Sequence, residues 1–263
     1  MLECVINISE GRDLEMIAAI GLAAGPDLLD LHTDPDHHRS VLTLVGEEAP
    51  RAVAAEAVAR IDLRTHSGAH PRIGSVDVVP FVPLGTTTMA EAVAARDRFG
   101  RWAADTLALP GFAYGPERAL PFLRKHAFAD LTPTWGPTTP HPSAGSAAIG
   151  ARPVLVAYNV WLAKPDLDLA QRIARQLRAP ALRTLGLAVG TRVQVSMNLV
   201  DPYSLGPAGA TDAVAALADV AGCELVGLIP HAILEAIPQH RWAALDLTAD
   251  RTIEARLAHR LTN

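Results

Sequence analysis

The chain runs through one order of elements twice, and that order constrains its fold more than any other feature. In the first half a short β-prone run, ECVINIS (3–9), precedes a helix-like run, LEMIAAIGLAA (14–24), with Ser9 or Asp13 as its cap and Gly25-Pro26 as its stop. LLDLHTD (28–34) and SVLTLVG (40–46) read as strands around the turn-rich PDHHR. The alanine-rich APRAVAAEAVARI (49–61) reads as a helix with Pro50 near its first turn, and VDVVPFVPL (76–84) as the strand that follows. In the second half RPVLVAYNVWL (152–162) is a strand and DLDLAQRIARQL (166–177) a helix. TLGLAVG and RVQVSMNLV follow as strands, GATDAVAALADVAG as a helix, ELVGLIP (224–230) as the last strand and HAILEAI as a short helix beyond it.

Each half is thus β-α-β-β-α-β, the split βαβ order of ferredoxin-like domains, which predicts an α+β protein with two such subdomains in tandem. The halves share order and no obvious residue identity. Between them TMAEAVAARDRFGRWAADTLAL (88–109) reads as a long helix, and GFAY after it as an extra edge strand. LTPTWGPTTPHPSAGSAAIGAR (131–152) is rich in proline and glycine, which suits a linker and a binding loop equally. The expected boundary lies near residue 148, giving subdomains 1–148 and 149–263.

Composition bounds what such a fold could serve. Apolar residues make up 49%, charged residues 19%, and the net charge is -5. That acidic balance argues against nucleic-acid binding, which needs a basic face, so an anionic ligand would depend on local arginines. Cys4 and Cys223 form no CxxC pair, and a reducing cytoplasm is expected. Glu3 stands where a signal peptide would carry a cation, and no run of about 18 apolar residues suggests a membrane span.

The densest chemistry lies in RTHSGAHPRIGSVDVVP (64–80). Pro71 holds His70 extended, and Gly68 and Gly74 permit turns around it. Beside Arg72, whose charge favours a neutral imidazole, His70 is a candidate for acid–base work near neutral pH. Spacing alone favours a surface turn whose histidines bond to the backbone. HTDPDHHR (32–39) invites a zinc reading, but adjacent Asp36, His37 and His38 alternate sides of an extended chain, which favours a polar turn. Asn7, Ser9 and Glu10 in NISEGR fit a helix start, which could also receive a carboxylate. No GxGxxG, P-loop or GxSxG is present, and Met197 is expected to pack in a core.

Taken together, ECVINISEGRD (3–13), LLDLHTDPDHHRSVLTLVG (28–46), HSGAHPRIGSVDVVPFVPLG (66–85), GARPVLVAYNVWL (150–162), QVSMNLVD (194–201) and ELVGLIP (224–230) resemble the glutamate formimidoyltransferase (formiminotransferase) family in order and across nearly the whole chain. The resemblance implies two ferredoxin-like subdomains with ligands between them. It also implies transfer of a formimidoyl group from N-formimidoyl-L-glutamate to tetrahydrofolate in histidine degradation. The family's catalytic histidine, in its H-P-R motif, falls on His70. Its folate-binding loop falls on Gly136, Pro137, Thr138, Thr139, Pro140, His141, Pro142, Ser143, Ala144 and Gly145. Arg72 and Arg39 are candidate partners for the substrate's carboxylates, and Trp135 for packing against the pterin. No metal is expected, and a homodimer follows from the resemblance alone. The chain departs from the family at Ile8 and in the shorter segment after Tyr114, which leaves two alternatives: formyl transfer between 5-formyltetrahydrofolate and glutamate, or a non-catalytic folate binder.

Overall fold

The computed structural model describes residues 1–68 and 71–260. It divides into two compact units, Met1–Pro153 and Val154–Asn263. Each is α+β and each carries the ferredoxin-like sheet order. Among the described residues no helix is long and apolar enough to cross a membrane.

In the first unit β1 (Leu2–Ile8), α1 (Leu14–Leu22), β2 (Leu28–Asp34), β3 (Arg39–Val45), α2 (Glu48–Arg60) and β4 (Val76–Pro83) follow the expected order. Asp13, not Ser9, caps α1, its side chain accepting from the Met16 amide at 2.9 Å. Two further strands, β5 (Gly111–Tyr114) and β6 (Ala147–Ala151), extend the sheet to the order β2-β3-β1-β4-β6-β5. β6 pairs in parallel with both β4 and β5, and β5, expected from GFAY, is the edge. The 148/149 boundary drawn from sequence lies inside β6. Small side chains hid this strand: AAIGA has only one residue larger than alanine.

Ile6, Ile8, Leu42, Leu44, Val79, Phe81 and Ile149 face Val53, Ala57 and Phe99 of α2 and α3 (Met89–Leu107) in one dry core. The opposite face carries a smaller cluster under α4 (Leu120–His126), where Phe112, Tyr114, Val78 and Leu123 meet. α3 opens with a capping box, Thr88 and Glu91 bonding each other's backbone amides.

In the second unit β7 (Val156–Leu162), α5 (Leu167–Leu177), β8 (Leu182–Val189), β9 (Arg192–Leu199), α6 (Pro207–Ala215) and β10 (Val220–Val226) form a four-stranded sheet of order β10-β7-β9-β8. The last strand runs Val220–Val226 and not 224–230, ending where Gly227 adopts a positive φ of 81° and turns the chain out of the sheet. Alternate residues Tyr158 and Val160, Val195 and Met197 enter the core against Ile173 and Val214, as strand period demands.

Two loops of the first unit are sewn together. The Leu63 amide donates to the Ser143 carbonyl at 2.8 Å, the Ser75 amide to Ala144 at 2.9 Å, and the Ser146 amide to Ile73 at 2.9 Å. Ser9 adds two bonds to the same seam, from its amide to the Ser75 carbonyl and from its hydroxyl to the Gly74 carbonyl, both at 2.8 Å. A Cβ on Gly74 would sit 1.8 Å from the Ser146 carbonyl oxygen, so only glycine allows the approach. Gly74→Ala should therefore destabilise the protein by about 1–3 kcal/mol, read from its denaturation midpoint. An unchanged midpoint would mean that the seam does not hold the loops.

Candidate active site

A charge inside a hydrophobic strand builds the site. Asp77 is fully buried in β4. The β1–β4 register skips it, Asn7 pairing with Val78 and Ile8 with Val76. Such an irregularity re-aims a side chain. The released Asp77 Oδ2 accepts from Arg39 Nη1 at 2.7 Å and Arg124 Nη2 at 2.5 Å, and Oδ1 accepts from the Ile73 amide at 2.7 Å. Arg39 Nε also donates to Asn7 Oδ1 at 3.0 Å. Burial alone would raise the Asp77 carboxyl, but the two guanidiniums and the amide hold it below the usual carboxylate range. Two cations share one anion, so the cluster keeps a positive surplus within an acidic chain.

Beside it lies a chain of rings. Arg72 Nη1 contacts His66 Nδ1, and His66 Nε2 lies 2.7 Å from His38 Nδ1. Arg72 Nη2 also donates to the Gly68 carbonyl at 2.7 Å, spanning residues 69–71. His38 Nδ1 is 3.5 Å from Glu10 Oε1, which accepts the amides of Gly11, Arg12 and Asp13 at the entry to α1. Burial, with the neighbouring His38 and Arg72 charges, pushes His66 down to about 4. His38 is lowered by burial and by Arg12 and Arg72, against the pull of Glu10.

His70, with Ala69, lies outside the described residues. Arg72 and Arg39 converge on the cluster from the 66–77 segment and from β3, Arg39 already paired with Asp77. Gly136–Gly145 forms a loop whose two end glycines have φ of 81° and 69°. His141 closes it, exchanging backbone bonds with Gly145 at 2.7 and 3.0 Å. His141 Nδ1 accepts from the Ala144 amide at 3.0 Å, which puts its proton on Nε2. Trp135 does not project from this loop: it packs on Gly100 of α3, with Arg96 5.9 Å above its ring. The histidines of HTDPDHHR diverge, His37 to Asp34 at 2.5 Å and His38 to His66. Among the described residues no group of three metal-binding side chains forms.

Sequence reasoning missed Asp77, Arg124 and the pairing of His38 with His66. Asp77 had a signal, a carboxylate in the second position of an otherwise apolar strand. Arg124 had none, since only the packing of α4 brings it there.

Residues 1–152 match the formiminotransferase domain, N-terminal subdomain. A glutamate formimidoyltransferase of Streptococcus pyogenes serotype M1 is 35% identical over 76% of this chain and 78% of its own. One from Thermoplasma acidophilum is 33% identical over 76% and 77%. The formimidoyltransferase-cyclodeaminase of Rattus norvegicus is 33% identical over 90% of this chain, which spans only about half (51%) of that protein. Tandem ferredoxin-like units with these relatives define a transferase. The chain belongs to the formiminotransferase family.

Two outcomes follow for the cluster. Asp77→Asn leaves two guanidiniums without their counter-charge and should cost roughly 2–4 kcal/mol, part of the full penalty being relieved because the Arg124 side chain is 22% exposed. Retention of wild-type stability would show that the arginines are held by other groups. The lowered histidines set a pH dependence. With His66 near 4 when folded and 6.5 when free, the unfolded chain binds more protons between those values. Stability should therefore fall as pH drops through that window, and His66→Gln should flatten the fall in a series of melting curves.

Proposed function

We propose that the chain transfers the formimidoyl group of N-formimidoyl-L-glutamate to tetrahydrofolate, with His70 as general acid and base. The observation that carries the reading is the seam: the segment 63–75, which contains His70, and the loop 136–146 are bonded into one frame beside a cationic cluster. Family membership and the relatives' names support the same donor. In the reaction N5 of the folate bonds to the formimidoyl carbon and the bond from that carbon to the glutamate nitrogen breaks. The proton lost by N5 passes through His70 to the departing nitrogen, so one imidazole serves both halves of the exchange.

Gly136–Gly145 is proposed to receive the folate. Its positive-φ ends and short side chains let backbone approach a flat ring, and its backbone is fixed by the bonds to Leu63, Ile73 and Ser75. Arg72 and Arg39 are proposed to bind the donor's carboxylates, with the charge surplus around Asp77 as support. No metal enters this chemistry. A cytoplasmic location belongs to the same proposal, since folate and histidine-derived donors are metabolites of that compartment.

The test is direct. Purified protein given both substrates should form 5-formimidoyltetrahydrofolate and glutamate. His70→Ala should keep the same melting curve and lose about 10²–10⁴-fold in turnover. Wild-type turnover in that variant would remove His70 from the chemistry, and product formed only from 5-formyltetrahydrofolate and glutamate would replace formimidoyl transfer with formyl transfer.

A further inference from the structure

The ring chain beside the cluster has a direction that chemistry fixes. A guanidinium only donates, so His66 Nδ1, which Arg72 Nη1 contacts, is an acceptor. The His66 proton then sits on Nε2, which points at His38 Nδ1 at 2.7 Å. His38 Nδ1 must accept in turn, and its own proton sits on Nε2. The rings meet edge to face with centroids 3.9 Å apart.

The backbone around this chain is under constraint. His38 has a φ of 51°, a conformation few side chains adopt, in the turn between β2 and β3. Gly68 presses against that turn: a Cβ there would lie 2.7 Å from the His38 Cβ and 2.8 Å from the His37 carbonyl oxygen. Two contacts, one through rings and one through backbone, therefore fasten the start of the 66–72 segment to the β2–β3 turn. Arg72 fastens its end, bonding back to Gly68 across residues 69–71.

We propose that His38 and His66 are positioning residues, fastening Gly68 and Arg72, which flank His70 in sequence, to the β2–β3 turn through a one-way hydrogen-bond chain from Arg72 to His66 to His38. The role in turnover rests on the assignment of His70 made above, while the chain itself does not. It holds only while both rings are neutral. A second proton on His38 Nδ1 would face the His66 Nε2 proton, donor against donor, and would turn instead to Glu10 Oε1, 3.5 Å away. Among the described residues the charged groups facing the pair are Glu10, Arg12 and Arg72. Burial and the two arginines favour the neutral form of both rings, while the Glu10 carboxylate draws a proton to His38.

The experiment reads tautomers by nitrogen NMR of histidine-labelled protein, with His38→Asn and His66→Gln spectra for assignment. The expected result is the Nε2–H tautomer for both rings at about pH 7, with titration below the ordinary histidine range. An Nδ1–H tautomer on either ring, or ordinary titration of both, overturns the chain. No substrate is needed, so this arm stands or falls apart from formimidoyl transfer. In the kinetic arm His66→Ala should lower kcat about 10–100-fold with little change in KM. His66→Gln, whose amide oxygen can accept from Arg72 while its amide nitrogen donates to His38, should restore most of it. Wild-type kcat in His66→Ala, or no rescue by glutamine, overturns the positioning role.

Discussion

The buried carboxylate of Asp77 is the constraint on which the rest of the site depends. A lone charge in that position would be prohibitive, and three donors make it tolerable: the Arg39 and Arg124 guanidiniums and the Ile73 amide. Each donor arrives from a different part of the first unit, β3, α4 and the segment leading into β4. One side chain thus ties a strand, a helix and a loop to the same point. The irregular register of β1 against β4 is what turns Asp77 away from the strand pairing and towards them.

From that point the frame extends through backbone bonds rather than through further charges. Ile73, Gly74 and Ser75 run from the Asp77 anchor into the seam with Ser9, Ala144 and Ser146. Three glycines, Gly68, Gly74 and Gly145, permit contacts that a Cβ would prevent. The segment between His66 and Arg72 is therefore fastened at both ends, to the β2–β3 turn and to the β4 entry.

Much of this was legible in the sequence, for physical reasons that differ by element. The tandem βαββαβ order was readable because apolar period and turn residues mark strands and helices locally, and the second sheet and the β2-β3-β1-β4 part of the first follow from it. β6 was not readable as a strand: AAIGA carries no β-branched alternation, and it pairs only because β4 and β5 flank it. The proposed roles of His70 and the 136–145 loop rest on resemblance, since spacing alone favoured a polar turn for the first and left linker and binding loop open for the second, and those of Arg72 and Arg39 rest on their charge. Arg124 and the His38–His66 bond join residues 47 and 28 positions from their partners, and no local pattern announces such pairs. The packing of Trp135 on Gly100 was not readable from its proline-rich context.

The proposal that the 63–77 segment and the 136–146 loop form one acceptor-binding unit is tested most directly by hydrogen exchange on adding tetrahydrofolate. Amides of both segments should gain protection together and over the same range of folate concentration, with the β8–β9 hairpin unchanged. Protection of the 136–146 loop alone, or of neither segment, would contradict a single site built on this seam.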